Sequence, residues 1–312
     1  MGDAAIKTVG SIEALIVEVR SDYLAWETKT FPWFRGEKLR TKTPLLPALF
    51  RDPGKHDENR LLQEFRARAP SLGLGVIPPR DHTDQWLFLA RHVGLPTRLL
   101  DWTQGLLIAL LFAVYDGKGE PRRQTDGAIV WMLDPSALNR QSLTSPGDSR
   151  DNEFPLTWIN HPTDLPTRTE VLSWLIASVD ETIAGRASYP SKAAYLTAIL
   201  KSILPNIGAL NVMRAWSHPK GMTEGIDGTR LPVAVRGIAI HPRVTAQKGC
   251  FTIHGIVEES LLHHVGSRIL RGYQIGEDSL DHIRRDLRMA GITYSTMFPD
   301  LDGLAVDLRS WF

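Results

Sequence analysis

"RHVGLPTRLLDWTQGLLIALLFAVY", residues 91–115, is the stretch on which the fold turns. A helix stops at Gly94, where glycine is the usual C-terminal terminator. "LPTRLLDWT" is short and mixed and is expected as a strand or extended turn. Gln104 to Tyr115 then follows as a helix. Its core, "LLIALLFAV" (106–114), is the most apolar run in the chain, yet it has only about half the length a membrane span needs. It is expected as a buried helix, and the chain around it as a soluble protein.

Working outward, "DHTDQWLFLARHVG" (81–94) is expected as the helix before the turn, with Asp81 as its cap. After the buried helix, "GAIVWMLDP" (127–135) has the plainest strand composition in the chain, an apolar run halted by Asp-Pro. Towards the N-terminus, Ser11 caps a helix with Ile12, Leu15, Ile16, Val19, Tyr23 and Trp26 on its apolar face. "FPWFRG" (31–36) follows as a short strand ending at its glycine, and helical spacing resumes from Asp57 through Leu61, Leu62, Phe65 and Ala69.

Beyond 135 the chain is polar until a capping box, "TRTE" (167–170), opens one helix; a second covers about 191–204. "RLPVAVRGIAIHP" and "GCFTIHGIV" return to strand composition, and a helix near 279–290 is stopped by Gly291. This order predicts an α+β fold. The division expected is an N-terminal helix (1–30), a core in two parts (31–135 and 231–312), and a helical insertion or lobe (136–230).

Composition narrows the function. The 312 residues are 43% hydrophobic and 23% charged, with net charge +1, so there is no strong general signal for nucleic acid and any anion site must be local. The N-terminus lacks a basic segment followed by a long apolar run, so neither a signal peptide nor a membrane partner is expected. The single Cys250 rules out an intramolecular disulfide and fits a cytoplasmic location. The histidines, His241, His254, His263 and His264 among them, lack metal-ligand spacing, so no metal is expected.

Two clusters carry chemistry. Arg35-Gly36 places a guanidinium, whose planar fork suits phosphate or carboxylate, beside a residue that lets a ligand approach the backbone. The structural alternative is an arginine paired with a buried acid and a glycine serving a turn. Residues 91–103 gather His92, Thr97, Arg98, Asp101, Trp102 and Thr103: donors, a charge pair, a possible acid or base, and an aromatic face. Here the alternative is a polar turn with Arg98 bridging to Asp101. Gln247 and Gly249, before "CFTIHG", are expected as a turn at the mouth of a cleft. "RRDLR" (284–288) is expected as a solvated helix face.

"WFRG", "HVGLPTRLLDWT", "IALLFA", "AIVWMLDP", "RVTAQKGCFTIHG" and "MFPDLDGLA" together resemble the FRG domain, named for Phe-Arg-Gly, here Phe34-Arg35-Gly36. The resemblance runs from about residue 30 to 306 and departs from the family at Arg91, where Gln is usual. The family occurs in bacteria and phages, sometimes near defence genes. Its motif order is similar to that of arginine-type mono-ADP-ribosyltransferases, which implies central sheets forming a cleft for NAD, flanked by helices.

In that analogy Arg35 grips the pyrophosphate, Trp102 is the nicotinamide shelf, and Gly36, His92, Thr97 and Arg98 shape or charge the cleft. Asp101, Thr103 and Gln247 surround the reacting ribose. The usual glutamate has no counterpart: Gln247 or Arg243 falls near its position, and Asp101 or Glu258 is the substitute. The implied function is a transferase moving ADP-ribose from NAD to a macromolecular acceptor, or an enzyme cleaving NAD, in the role of a toxin or phage-defence effector. The alternative is a non-enzymatic sensor or interaction module using the same cleft.

Overall fold

A computed structural model describes residues 5–28, 30–52, 54–72, 77–78, 83–143, 232–235, 242–254 and 259–311. Their strands are β1 (Ala5–Val9), β2 (Trp33–Lys38), β3 (Leu99–Thr103), β4 (Ala128–Leu133), β5 (Val233–Val235), β6 (Gly249–Ile253) and β7 (Leu270–Ile275). Their helices are α1 (Ile12–Ala25), α2 (Glu58–Arg68), α3 (Thr83–His92), α4 (Leu106–Val114), α5 (Pro135–Leu143), α6 (Pro242–Ala246), α7 (Leu280–Met289), α8 (Tyr294–Met297) and α9 (Leu301–Trp311).

All seven strands join one mixed sheet in the order β1-β7-β4-β2-β3-β6-β5, so the fold is α+β with helices against the sheet. β1 runs parallel to β7 and the other pairings are antiparallel. β4 is buried along its whole length because both faces of the sheet are covered. Ala128, Val130 and Met132 pack with α1, α4 and α7, whereas Ile129, Trp131 and Leu133 pack with Trp33, Leu45, Trp102 and Leu138. On the other half of the sheet, Leu87 and Phe88 of α3 pack on Leu99, Phe251 and Ile253.

The joint between the halves positions the site. β2 and β4 pair along six residues, but β2 and β3 meet only at Phe34 and Thr103. The sheet therefore parts at its middle, with α4 over one half and α3 over the other.

Several expectations hold at the residue level. Ser11 caps α1, its hydroxyl accepting from Ala14 N at 3.2 Å, and Gly94 and Gly291 have φ of +90° and +75° where helices stop. Others need correction. The N-terminal segment contains β1 as well as a helix, and β2 continues two residues past Gly36. β7, α5, α8 and α9 form where no element was expected. Ile16 of α1 is exposed rather than on the buried face. The "RRDLR" face is not all solvated: Arg284 is largely buried and donates to the Val114 and Arg122 carbonyls. Asp81, the helices expected at 167 and 191–204, His241 and Glu258 lie outside the described residues.

Candidate functional site

Where β2 and β3 part, a cavity of about 360 Å³ opens, within the range of small-molecule sites. Its lining includes Arg35 and Gly36 from β2, Arg91 and His92 from the end of α3, and Asp101, Trp102 and Thr103 from β3. Phe112 and the turn after α4 contribute a further wall, and Arg243, Gln247 and Phe298 close the opposite side. Of the residues singled out in the sequence, Arg35, Gly36, His92, Asp101, Trp102, Thr103 and Gln247 are thus brought together. Thr97 and Arg98 are not. The Thr97 hydroxyl accepts from Leu99 N at 3.3 Å, and Arg98 pairs with the buried Glu58, Nε to Oε2 at 2.5 Å, rather than bridging to Asp101.

Arg35 meets the structural reading of its motif, an arginine paired with a buried acid. Its Nε donates to Glu37 Oε1 at 2.7 Å, and Glu37 is a buried acid also held by Leu45 N and Trp131 Nε1, each at 3.2 Å. Its Nη1 donates to the Asp101 carbonyl at 2.7 Å and lies 3.8 Å from Asp101 Oδ2. Among the described residues Nη2 has no hydrogen-bond partner, so one edge of the fork is tied and the other is spare.

Asp101 sits between two guanidiniums. Arg91 Nε donates to both carboxylate oxygens at 3.0 and 3.1 Å, and Arg91 Nη2 adds a further bond to Oδ2. Enclosure by the protein pushes the Asp101 pKa up, but the charge and hydrogen bonds of Arg91, with Arg35 behind them, outweigh that and hold it below the ordinary value. Asp101 therefore stays ionised at neutral pH, with 40% of its side chain still exposed. The role of Arg91 was visible in the sequence only as a cation ten residues before an acid.

The structure reassigns three other roles. The Trp102 indole is 3% exposed in the core on the far face of the sheet and donates to Thr252 Oγ1 at 3.1 Å, so its face is not available as a stacking shelf. The aromatic wall comes from Phe112 and Phe298 instead, with Arg243 5.4 Å above the Phe298 ring. The Thr103 hydroxyl donates to the Gln247 carbonyl at 2.6 Å and accepts from Gly105 N at 3.0 Å, so it orients the chain and not a ligand. Gly36 serves packing: a Cβ there would lie 1.8 Å from the Ala109 carbonyl of α4.

The turn that presents Gln247 is held from several sides. Lys248 is left-handed at φ +47°, and its carbonyl accepts from Gln104 N at 3.1 Å. Gln247 Nε2 donates to the Met297 carbonyl at 3.1 Å, tying the turn to α8. Arg243 is ion-paired with Asp300, so neither Gln247 nor Arg243 supplies the missing carboxylate.

Chemically, the site carries more cationic than anionic side chains in its lining. Four arginines and two aspartates line it: Arg35, Arg91, Arg122 and Arg243 against Asp101 and Asp116. Asp101 is held by Arg91 and Arg35, and Asp116 Oδ1 accepts from Lys118 N and Glu120 N at 2.8 and 2.9 Å. Among the described residues no group of three or more His, Cys, Asp or Glu is placed to hold a metal, and no helix is long and apolar enough to cross a membrane.

No curated protein and no solved structure matches the chain. A family model does match, over a shorter stretch than the resemblance suggested and one that holds β2, α3, β3 and α4, the elements on both sides of the parting: residues 31–121 are an FRG domain.

Proposed function

We propose that this cleft binds a nucleotide through its phosphates, with NAD as the leading ligand. The observation that carries the reading is the meeting of Arg35 and Arg91 at one carboxylate inside a cavity where arginines outnumber acids. Guanidinium forks suit phosphate oxygens, and a partly desolvated cation gains more from an anionic ligand than a solvated one does. The parted sheet, with helices over both halves, supports an ADP-ribosyltransferase-like arrangement for this cleft.

In the enzymatic form of the proposal, the bond between the nicotinamide nitrogen and ribose C1′ breaks and nicotinamide leaves with the electron pair. Water or a nucleophile of a macromolecular acceptor bonds to C1′ and releases a proton. The transition state is oxocarbenium-like, so a carboxylate near the ribose stabilises it. Asp101 is the ionised, cavity-facing carboxylate for that task, provided the ligand phosphates take over Arg91.

A second reading rests on the same pair. In this reading Arg91, which holds both Asp101 oxygens, keeps the carboxylate engaged in the complex too, and the cleft acts as a nucleotide sensor without turnover. Incubation with NAD while following nicotinamide release separates the two. The enzyme predicts release that Asp101→Asn abolishes and Gln247→Ala lowers. The sensor predicts binding by calorimetry with no release. Absence of both binding and release in the wild-type protein overturns the nucleotide reading.

A further inference from the structure

Arg122, in the turn after α4, is a cation with no direct ion pair among the described residues. Arg122 is among the residues that line the cavity. Nε is shut away from solvent and has no hydrogen-bond partner, and the only bond from the side chain is a long one, 3.4 Å from Nη2 to the Phe112 carbonyl. Among the described residues no carboxylate lies within ion-pair reach of it. The neighbouring acid, Asp116, is engaged by backbone N–H groups.

Leaving a buried donor unpaired costs stability, and folded proteins rarely tolerate it without a reason. The backbone of Arg122 does structural work, since its N–H donates to the Val114 carbonyl at 3.0 Å and its own carbonyl accepts from Arg284. Any residue type supplies those groups. The side chain is what lacks a structural explanation, and departures of this kind are expected where a ligand completes the set.

We propose that Arg122 is a second anion-binding residue of the cleft, acting with Arg35 so that the site recognises two linked phosphates and not one. The inference rests on the nucleotide reading above and narrows its ligand class to nucleoside diphosphate derivatives. Both side chains line one cavity and keep a terminal guanidinium nitrogen without a hydrogen-bond partner among the described residues, Arg35 Nη2 and Arg122 Nη1. They approach it from different elements, β2 and the turn after α4. A single phosphate satisfies one fork; a diphosphate offers oxygens to both. The Arg122 pKa is lowered mainly by burial, with Arg35 a minor cause in the same direction, while Asp116, Asp126 and Glu37 oppose it. A dianionic diphosphate relieves both effects together.

The test compares ADP-ribose with AMP, which shares the base and ribose but carries one phosphate, on wild type and on Arg122→Gln, by calorimetry. The expected result is tighter binding of ADP-ribose than AMP by wild type. Arg122→Gln should weaken ADP-ribose by on the order of tenfold or more and leave AMP nearly unchanged. Arg122→Lys, which keeps the charge without the fork, should fall between. Unliganded Arg122→Gln should melt close to wild type, because the side chain makes one long hydrogen bond in the fold and strands a buried donor. Equal ADP-ribose affinity in wild type and Arg122→Gln overturns the inference while leaving the nucleotide reading in place. Failure of wild type to bind ADP-ribose, AMP or NAD overturns both.

Discussion

Arg35 has a structural role through one edge of its guanidinium, and the binding role proposed for it uses the other edge, so the two are separable. Removing the side chain leaves Glu37, 8% exposed, with only the Leu45 amide and the Trp131 indole as donors. An acid stranded in this way is strongly destabilising, so Arg35→Ala should lose about 3 kcal/mol in urea unfolding. Arg35→Gln combined with Glu37→Gln should recover a large part of that loss, because the buried charge goes with its partner. Additive effects in the double-mutant cycle would show that the pair is not coupled. The double variant, folded but lacking the cation, is then the proper protein in which NAD binding should vanish.

At the scale of elements, the glycine of Phe-Arg-Gly matters through α4. A Cβ at Gly36 would meet the Ala109 carbonyl at 1.8 Å and the Ala113 amide at 2.4 Å, both backbone atoms that no rotamer change can move. Gly36→Ala therefore has to push α4 off the sheet, and about 3 kcal/mol or more of stability should be lost, read as a lowered urea midpoint. An unchanged midpoint would mean that α4 does not pack this closely. That contact explains why α4 was legible in the sequence: its apolar run is continuous because it is buried between sheet and neighbouring helices. β4 was legible for the same reason. β1 was not, because as an edge strand it shows three exposed residues in five and little apolar pattern. In β7, Arg271 and Gln274 interrupt the apolar pattern, although Gly272 packs under Trp131 and the flanking residues are buried. Within the cleft, Arg35 and Asp101 stood out because they follow aromatic and apolar residues. Arg122 did not, since "GKGEPRRQTDG" reads as a solvated turn until the tertiary fold closes over one of its arginines.

Across the whole molecule, the two halves of the sheet meet at one residue pair, and a buried polar chain ties β3 to β6 within one of those halves. Trp102 Nε1 donates to Thr252 Oγ1, which lies 3.3 Å from His254 Nε2, and His254 N donates to the Arg98 carbonyl at 3.1 Å. His254 is 1% exposed, and burial, with the nearby charges of His264, Arg35 and Arg98, pushes its pKa down to about 3. The imidazole is therefore neutral in the fold, while in the unfolded chain it takes up a proton below its ordinary value of 6.5. The unfolded state binds more protons in that interval, so stability is complete above about pH 6.5 and declines as the pH falls towards 3. One such group gives a slope of about 1.4 kcal/mol per pH unit. His264, also lowered mainly by burial, acts in the same direction. Asp101 enters later: its pKa is held below 3.8, so its contribution is lost only as the unfolded carboxylate begins to protonate. The measurement is the urea midpoint of wild type and His254→Gln between pH 7.5 and 4.5. Wild type should lose stability steadily below pH 6.5, and His254→Gln should decline less steeply by about one proton's worth. Equal slopes would place the acid sensitivity elsewhere and show that His254 is protonated in the folded protein.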